Sequence, residues 1–252
     1  MPSTELATKP VVALVHGWGM NARVFDPLGA LLAADFEVRT LNLPGHGGRA
    51  SLPHNSLQSW ADDLADALPD NAMLLGWSLG GQVAMRAALD HPHKISRLVL
   101  LASTPRFVAD AGWEHGIAAS DLQQFGDALM ADPQATLLRF LTLQTRGMAG
   151  QKTMLQQLRQ TFLAAPQAEA AALSSGLGIL HDTDLRRALP QLSQPSLVIH
   201  GSQDTLTPAA AGAWLARTLP HAQHIELAHA AHAPHLSHAE AVAAGIGRFV
   251  HG

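Results

Sequence analysis

Leu75-Gly76-Trp77-Ser78-Leu79-Gly80-Gly81 is the stretch whose reading decides the fold. Inside it, Gly76-Trp77-Ser78-Leu79-Gly80 has the form G-x-S-x-G, which places a serine on a sharp turn between a strand and a helix. The flanking glycines let strand and helix approach without a Cβ clash. The surroundings supply the required context: Ala72–Gly76 is a short apolar run suited to a buried strand, and Leu79–Leu89 reads as a helix. A chance pentapeptide in a glycine-rich loop would lack that context. Ser78 is therefore the candidate nucleophile. The Leu79 N–H, at the start of the helix, would face a developing oxyanion.

Working outward, strands and helices alternate on both sides of this turn. Val11–Val15 is a nearly continuous apolar run ending at His16-Gly17, as expected of a strand buried on both faces of a parallel sheet. Phe25–Ala34 is helical, Phe36–Leu41 a strand ending at Pro44-Gly45, Leu57–Leu68 a helix and Ile95–Leu101 a strand. The alternation resumes with a strand at Ser196–His200, a helix at Ala209–Leu219, a strand at His224–Leu227 and a closing helix from Ala239 to Val250. Such alternation implies βαβ units and a mostly parallel sheet flanked by helices, the α/β class. Between the two regions lie amphipathic stretches near 118–131, 134–145, 151–164 and 167–181, punctuated by Pro133, Gly147, Gly150 and Pro166. The expected organisation is a core of residues 1–104 and 191–252, with 105–190 an all-helical cap over the carboxyl edge of the sheet, where open α/β sheets bind ligands.

Composition narrows the chemistry. A chain of 252 residues can bury one sizeable core. A net charge of −4 gives no electrostatic case for nucleic acid. With no cysteine, disulfides, thiolate metal sites and a cysteine nucleophile are excluded. The first residues show no basic and apolar leader, and no apolar run reaches the length of a membrane span. A soluble, cytoplasmic protein, with a monomer as its state, is the expectation.

Three further pieces complete a hydrolytic constellation. His16-Gly17-Trp18-Gly19 follows the first strand, and the loop there supplies a second oxyanion donor, with the Trp18 N–H as candidate. Asp204, in Gly201-Ser202-Gln203-Asp204, follows the strand ending at His200, and a histidine follows the strand ending near Leu227. The order serine, acid, histidine is that of a nucleophile elbow on an α/β sheet. His229, His232, His235 and His238 recur every third residue, and spacing alone does not separate His229 from His232. A metal-site reading of these four is disfavoured, since Pro234 interrupts any helical face and neither a cysteine nor a carboxylate before Glu240 completes a zinc set. No cofactor is implied.

With these pieces in place, the sequence resembles the α/β-hydrolase superfamily over nearly its whole length. More narrowly, it resembles the pimeloyl-[acyl-carrier protein] methyl ester esterases of biotin synthesis. The narrower likeness rests on His16-Gly17-Trp18-Gly19-Met20-Asn21, on Leu75–Gly81, on Arg139-Phe140-Leu141-Thr142-Leu143-Gln144-Thr145 and on Ala230-Ala231-His232-Ala233-Pro234. Gly176-Leu177-Gly178-Ile179-Leu180 and Thr183-Asp184-Leu185-Arg186 add to it. The resemblance implies a catalytic triad of Ser78, Asp204 and His232. It implies oxyanion and substrate contacts at Trp18 and Leu79, and an acyl channel lined by Phe140, Leu141, Thr142, Leu143 and Gln144. The implied reaction is hydrolysis of the carrier-bound methyl ester to pimeloyl-acyl carrier protein and methanol. The short N-terminus departs from the usual opening hairpin, so a sheet nearer six strands than eight is expected.

Pro133–Ala168 carries Arg139, Arg146, Lys152 and Arg159 and no acidic residue, a local reversal in an acidic protein. Acyl carrier proteins are acidic, so these four are the expected docking residues, although a basic stretch is commonly just a solvated helix face. Two rival readings stand beside the main one. The chain could be a general carboxylesterase acting on small free esters, or a non-catalytic binding protein on the same fold.

Overall fold

The computed structural model describes residues 9–148 and 150–252. Six strands form one sheet: β1 (Val11–Val15), β2 (Glu37–Leu41), β3 (Ala72–Trp77), β4 (Ile95–Leu101), β5 (Ser196–Gly201) and β6 (Ala222–Leu227). Their order across the sheet is β2-β1-β3-β4-β5-β6, and every neighbouring pair is parallel. The sequence sets which strands sit inside. Ala72-Met73-Leu74-Leu75-Gly76-Trp77 and Ser196–Gly201 are buried at every position, whereas the edge strands β2 and β6 have only exposed and half-buried residues. An interior parallel strand is covered on both faces, so its sequence is predominantly apolar. Among the described residues the strand count is the expected six.

The helices of the α/β framework are α1 (Asp26–Leu32), α2 (Leu57–Asp66) and α3 (Leu79–Asp90). Four more, α4 (Ala119–Ala131), α5 (Pro133–Gln144), α6 (Gln151–Leu163) and α7 (Ala170–Asp182), stand between β4 and β5. The chain closes with α8 (Ala209–Thr218), the single turn α9 (Pro234–Ser237) and α10 (Ala239–His251). Glycines show which sheet face each closing helix covers. A Cβ on Gly245 of α10 would press on Ile225 and Ile199, while one on Gly212 of α8 would collide with the His200 ring. Ile199 and His200 are consecutive in β5 and point to opposite faces, so α10 and α8 lie on opposite sides. α1 packs beside α10, and α2 beside α3.

Two loci of this architecture position the site. The first is the topological switch: from β1 the chain steps outward to β2 and then crosses to β3 on the other side, so the loops after β1 and β3 diverge and leave a crevice at their carboxyl ends. The second is the place where the chain departs for α4–α7 and returns. The Leu185 N–H bonds the Pro105 carbonyl at 3.0 Å, which joins the outgoing and returning segments. Arg106 pairs with Asp110 at 2.7 Å and Asp184 at 3.4 Å, and Arg186 with Asp184 at 2.7 Å, so two cations and two carboxylates alternate across the join. α7 approaches the sheet through Gly176, where a Cβ would meet the Trp18 ring at 2.6 Å. Trp18 is itself buried, and its indole N–H donates to the Leu173 carbonyl of α7 at 2.9 Å.

Candidate active site

The turn after β3 is built as its sequence demands. Ser78 sits at φ +56°, ψ −120°, a left-handed conformation that costs an L-residue on the order of 1–3 kcal/mol. Three hydrogen bonds hold it. Ser78 N–H donates to the Leu101 carbonyl at 3.0 Å, and the Ser78 carbonyl accepts from Gly81 N–H at 2.9 Å and from Ser103 Oγ at 2.7 Å. Gly76 lies against the Gly80 carbonyl, and Gly80 against the carbonyls of Val15 and His16, with no room for a Cβ at either position. The two motif glycines thus serve different contacts: one joins strand to helix, the other joins helix to the loop after β1.

Ser78 Oγ is 3.0 Å from His232 Nε2, and His232 Nδ1 is 2.8 Å from Asp204 Oδ2. A carboxylate only accepts, so Nδ1 carries the proton and Nε2 is left to accept from the serine hydroxyl. Asp204 is fully engaged. Its Oδ1 accepts from the N–H groups of Leu206 at 2.9 Å and Thr207 at 3.0 Å. Thr207 Oγ1 stands 2.8 Å from Oδ2 and 3.0 Å from the Ala102 carbonyl. Burial pushes the Asp204 carboxyl upward, but the charge and hydrogen bond of His232, the His200 ring and the Thr207 N–H outweigh it and hold the carboxyl below its usual value. The carboxylate therefore stays ionised in a nearly dry setting.

His232 is fixed through its backbone as well. Its N–H donates to the Gln144 carbonyl at 3.2 Å, one of the orphan acceptors at the end of α5. Its carbonyl accepts the Trp77 indole N–H at 2.7 Å. His229, the alternative that spacing left open, is exposed, and its N–H goes to Ser202 Oγ at 3.0 Å. His235 is buried against Trp77 with ring centroids 4.4 Å apart, and burial first, then the nearby His232, lowers it to about 3. Among the described residues, no group of three or more histidines and carboxylates is placed to hold a metal ion.

In the loop after β1, His16 is fully buried. Its Nδ1–H donates to the Gly17 carbonyl at 2.8 Å, and its Nε2 accepts from Leu43 N–H at 3.1 Å. Burial, with His46 beside it, lowers His16 to about 3, so it is a neutral brace for this loop. A Cβ on Gly17 would lie 3.0 Å from the Ser78 Cβ, so loop and elbow touch. Among the described residues the main-chain N–H groups of Trp18 and Leu79 bond to no protein acceptor, leaving both free to donate into the crevice.

Above Ser78 and His232 lies a cavity of about 200 Å³. Its walls include Trp18, Phe125, Phe140, Leu143, Leu177 and Leu180. Trp18 meets Phe125 and Phe140 edge-on at 5.3 and 5.1 Å, and the three rings brace one wall. Of the five channel residues expected on α5, Phe140 and Leu143 line this space, whereas Leu141, Thr142 and Gln144 do not. Helical phase explains the split. Residues 140 and 143 share a face. Leu141 points into the core at 1% exposure, Thr142 Oγ1 caps the Leu138 carbonyl, and Gln144 is buried, reaching the site only through its carbonyl. Arg139, Arg146, Lys152 and Arg159 are exposed on α5, on α6 and between them, apart from the cavity lining. Sequence reasoning missed Thr207, Trp77 as a prop for His232, and the α4 and α7 wall residues. The i, i+3 pair Leu122 and Phe125 was the available signal for α4.

Comparison with known proteins accords with this geometry. Residues 10–239 match the family model for the alpha/beta hydrolase fold. A protein of Aromatoleum aromaticum named pimeloyl-[acyl-carrier protein] methyl ester esterase is 44% identical over 97% of this chain and 99% of its own length. One of the same name from Nitrosomonas europaea is 42% identical over 92% of both chains. Among solved structures, an esterase from Exiguobacterium antarcticum superposes with a TM-score of 0.88 at 20% identity, covering 97% of this chain and 93% of that one. A likeness at that identity speaks to the fold alone.

Proposed function

Because the chain belongs to the α/β-hydrolase family, we propose that it is a serine carboxylesterase that cleaves the methyl ester of pimeloyl-acyl carrier protein, giving pimeloyl-acyl carrier protein and methanol, in biotin synthesis. The observation that carries the chemistry is the unbroken chain from Ser78 Oγ through His232 to Asp204 at the floor of an apolar cavity. The substrate is read from relatives 44% and 42% identical over nearly the full length.

In this reading His232 Nε2 takes the Ser78 proton as Oγ attacks the ester carbonyl. The N–H groups of Trp18 and Leu79 receive the oxyanion, a type of contact worth about 10²–10³ in turnover for each donor. His232 then gives the proton to the departing methoxide, which leaves as methanol. Water adds to the acyl-serine by the same route, regenerates Ser78 and releases the acid. Asp204 holds the Nδ1–H tautomer and stabilises the imidazolium without itself taking the proton. The methylene chain lies along Phe140, Leu143 and the α4 and α7 walls, and α4–α7 act as the cap that excludes water.

The four exposed cations of α5, α6 and their connection form the landing face for the acidic carrier, within a stretch that has no acidic residue to offset them. A cytoplasmic location accords with a carrier-bound substrate. Among the described residues, no helix is long and apolar enough to cross a membrane.

Methanol release from the carrier-linked ester, measured beside a short-chain nitrophenyl ester and with Ser78→Ala, tests the proposal. Efficient cleavage of the carrier-linked ester, weakened by salt and by charge reversal at Lys152 and Arg159, is expected, with turnover abolished in Ser78→Ala. Cleavage of the small ester alone would make the protein a general carboxylesterase. Retained activity in Ser78→Ala would overturn the triad.

A further inference from the structure

The cavity above Ser78 is apolar apart from Ser78, His232 and one further group, the carboxylate of Asp121; no lysine or arginine lines it. Asp121 belongs to the first turn of α4, one position before Leu122 and four before Phe125, both also in the wall. Leu122 is 6% exposed, whereas Asp121 is open to solvent, so the carboxylate marks the mouth and the apolar side chains mark the passage inward. Among the described residues no cation pairs with it, and its side chain accepts no hydrogen bond. Its plain role is to favour the N-terminal end of α4 through the helix dipole, which needs no cavity. Its place in the wall gives it a second one.

We infer that Asp121 selects substrates by the charge at the end of the acyl chain remote from the ester: chains ending in a neutral or cationic group are admitted, and chains ending in a free carboxylate are turned away. This rests on the esterase reading above and extends it to a rule of substrate class. An ester seated on Ser78 runs its methylenes along the apolar wall and brings its far end to the mouth. A thioester or amide there meets Asp121 with no net charge. The free half-ester of a dicarboxylic acid brings a second anion to this carboxylate, and at a separation shorter than the Debye length the repulsion is only partly screened. The basic residues on the outer faces of α5 and α6 attract anions to the protein surface, while Asp121 acts later, on what enters. One enzyme can therefore draw in an acidic carrier and still reject a small acidic ester.

The test compares kcat/KM above neutral pH for three methyl esters differing at the far end: dimethyl pimelate (neutral), monomethyl pimelate (anionic) and methyl 7-aminoheptanoate (cationic). Asp121→Asn is expected to raise the anion-to-neutral ratio by about five-fold and to lower the cation-to-neutral ratio by a similar factor, both changes shrinking at high salt. Asp121→Ser should repeat the result. Asp127→Asn removes an equal charge from the same helix, at a residue outside the cavity lining, and should leave the ratios unchanged. Unchanged ratios in both Asp121 variants, with dimethyl pimelate still turned over, overturn this inference alone. Turnover of the carrier-linked ester with none of the three small esters cleaved likewise overturns this inference alone, whereas no turnover of any ester by the unaltered protein overturns the esterase reading and this inference with it.

Discussion

The carboxyl edge of the sheet and the helices above it are built by opposite means. At the edge, position is set by hydrogen bonds. Both Asp204 oxygens are engaged, His232 is held by both ring nitrogens and by its own N–H and carbonyl, and Ser78 is pinned in a left-handed backbone by three bonds. In the helical segment, position is set by packing: rings against rings around Trp18, and a glycine where α7 crosses that indole. Hydrogen bonds are directional and fail abruptly when one partner is removed. Apolar packing is graded, and its cost follows the volume removed. Changes at the edge should therefore act on rate in large steps, and changes in the helices should act on affinity or stability in small ones.

The most severe test of that contrast is Asp204→Asn. An amide in this place keeps the volume but donates where the carboxylate accepted, so His232 is driven to the wrong tautomer. A fall in kcat of about 10⁴ with an unchanged fold is expected, the scale seen when the equivalent acid of a serine triad becomes an amide. Steady-state kinetics with circular dichroism would check it; a loss of ten-fold or less would mean that the carboxylate only props the loop.

A smaller effect comes from adjacent residues on one helix. Phe140→Ala opens the cavity wall and is expected to raise KM for long acyl esters about ten-fold, with short esters little affected. Leu141→Ala removes a core side chain and is expected to cost about 2–5 kcal/mol of stability, leaving kcat/KM per folded molecule unchanged. Denaturant melts and a chain-length series on both variants would break the comparison if the two exchanged phenotypes.

These neighbours also show how far the sequence could be read. Strand positions, the elbow and the order of serine, acid and histidine were legible, because each is fixed by local chemistry: apolar runs, glycines at a tight turn, residues following strand ends. The phase of α5 was not. Phe140 through Gln144 form one apolar and polar mixture, and which of them faces the cavity depends on how the helix docks on Trp18 and α4. The choice between His229 and His232 was likewise tertiary, since the groups that fix His232 are Gln144, 88 residues before it, and Trp77, 155 residues before it. Thr207 was invisible for the same reason: its hydroxyl matters because Ala102 and Asp204 converge on it.

The last prediction concerns pH. His16 and His235 are lowered to about 3 and His200 to about 4, each mainly by burial. Their folded values lie below the unfolded value near 6.5, so between these limits the unfolded chain binds more protons, and stability falls as pH falls. Each can contribute up to about 1.4 kcal/mol per pH unit in that window. The Asp204 carboxyl, also lowered, adds its loss only at lower pH, below the ordinary carboxylate range. Melting temperature should thus decline from about pH 6.5 downward, and His235→Leu should make the decline shallower. A flat profile from neutrality to about pH 4.5 would show that these rings are hydrated when the protein is folded.

The join at Pro105 and Leu185, clasped by Arg106, Asp110, Asp184 and Arg186, has a consequence for descent as well as for stability. A segment whose two ends leave the framework side by side imposes almost no spacing requirement on what lies between them, and lengthening such a closed loop costs little entropy. Helices inserted there can be lengthened, shortened or exchanged without moving the register of β4 against β5. The clasp works as a socket: one sheet and one set of reacting groups can be fitted with successive roofs, each admitting a different ester.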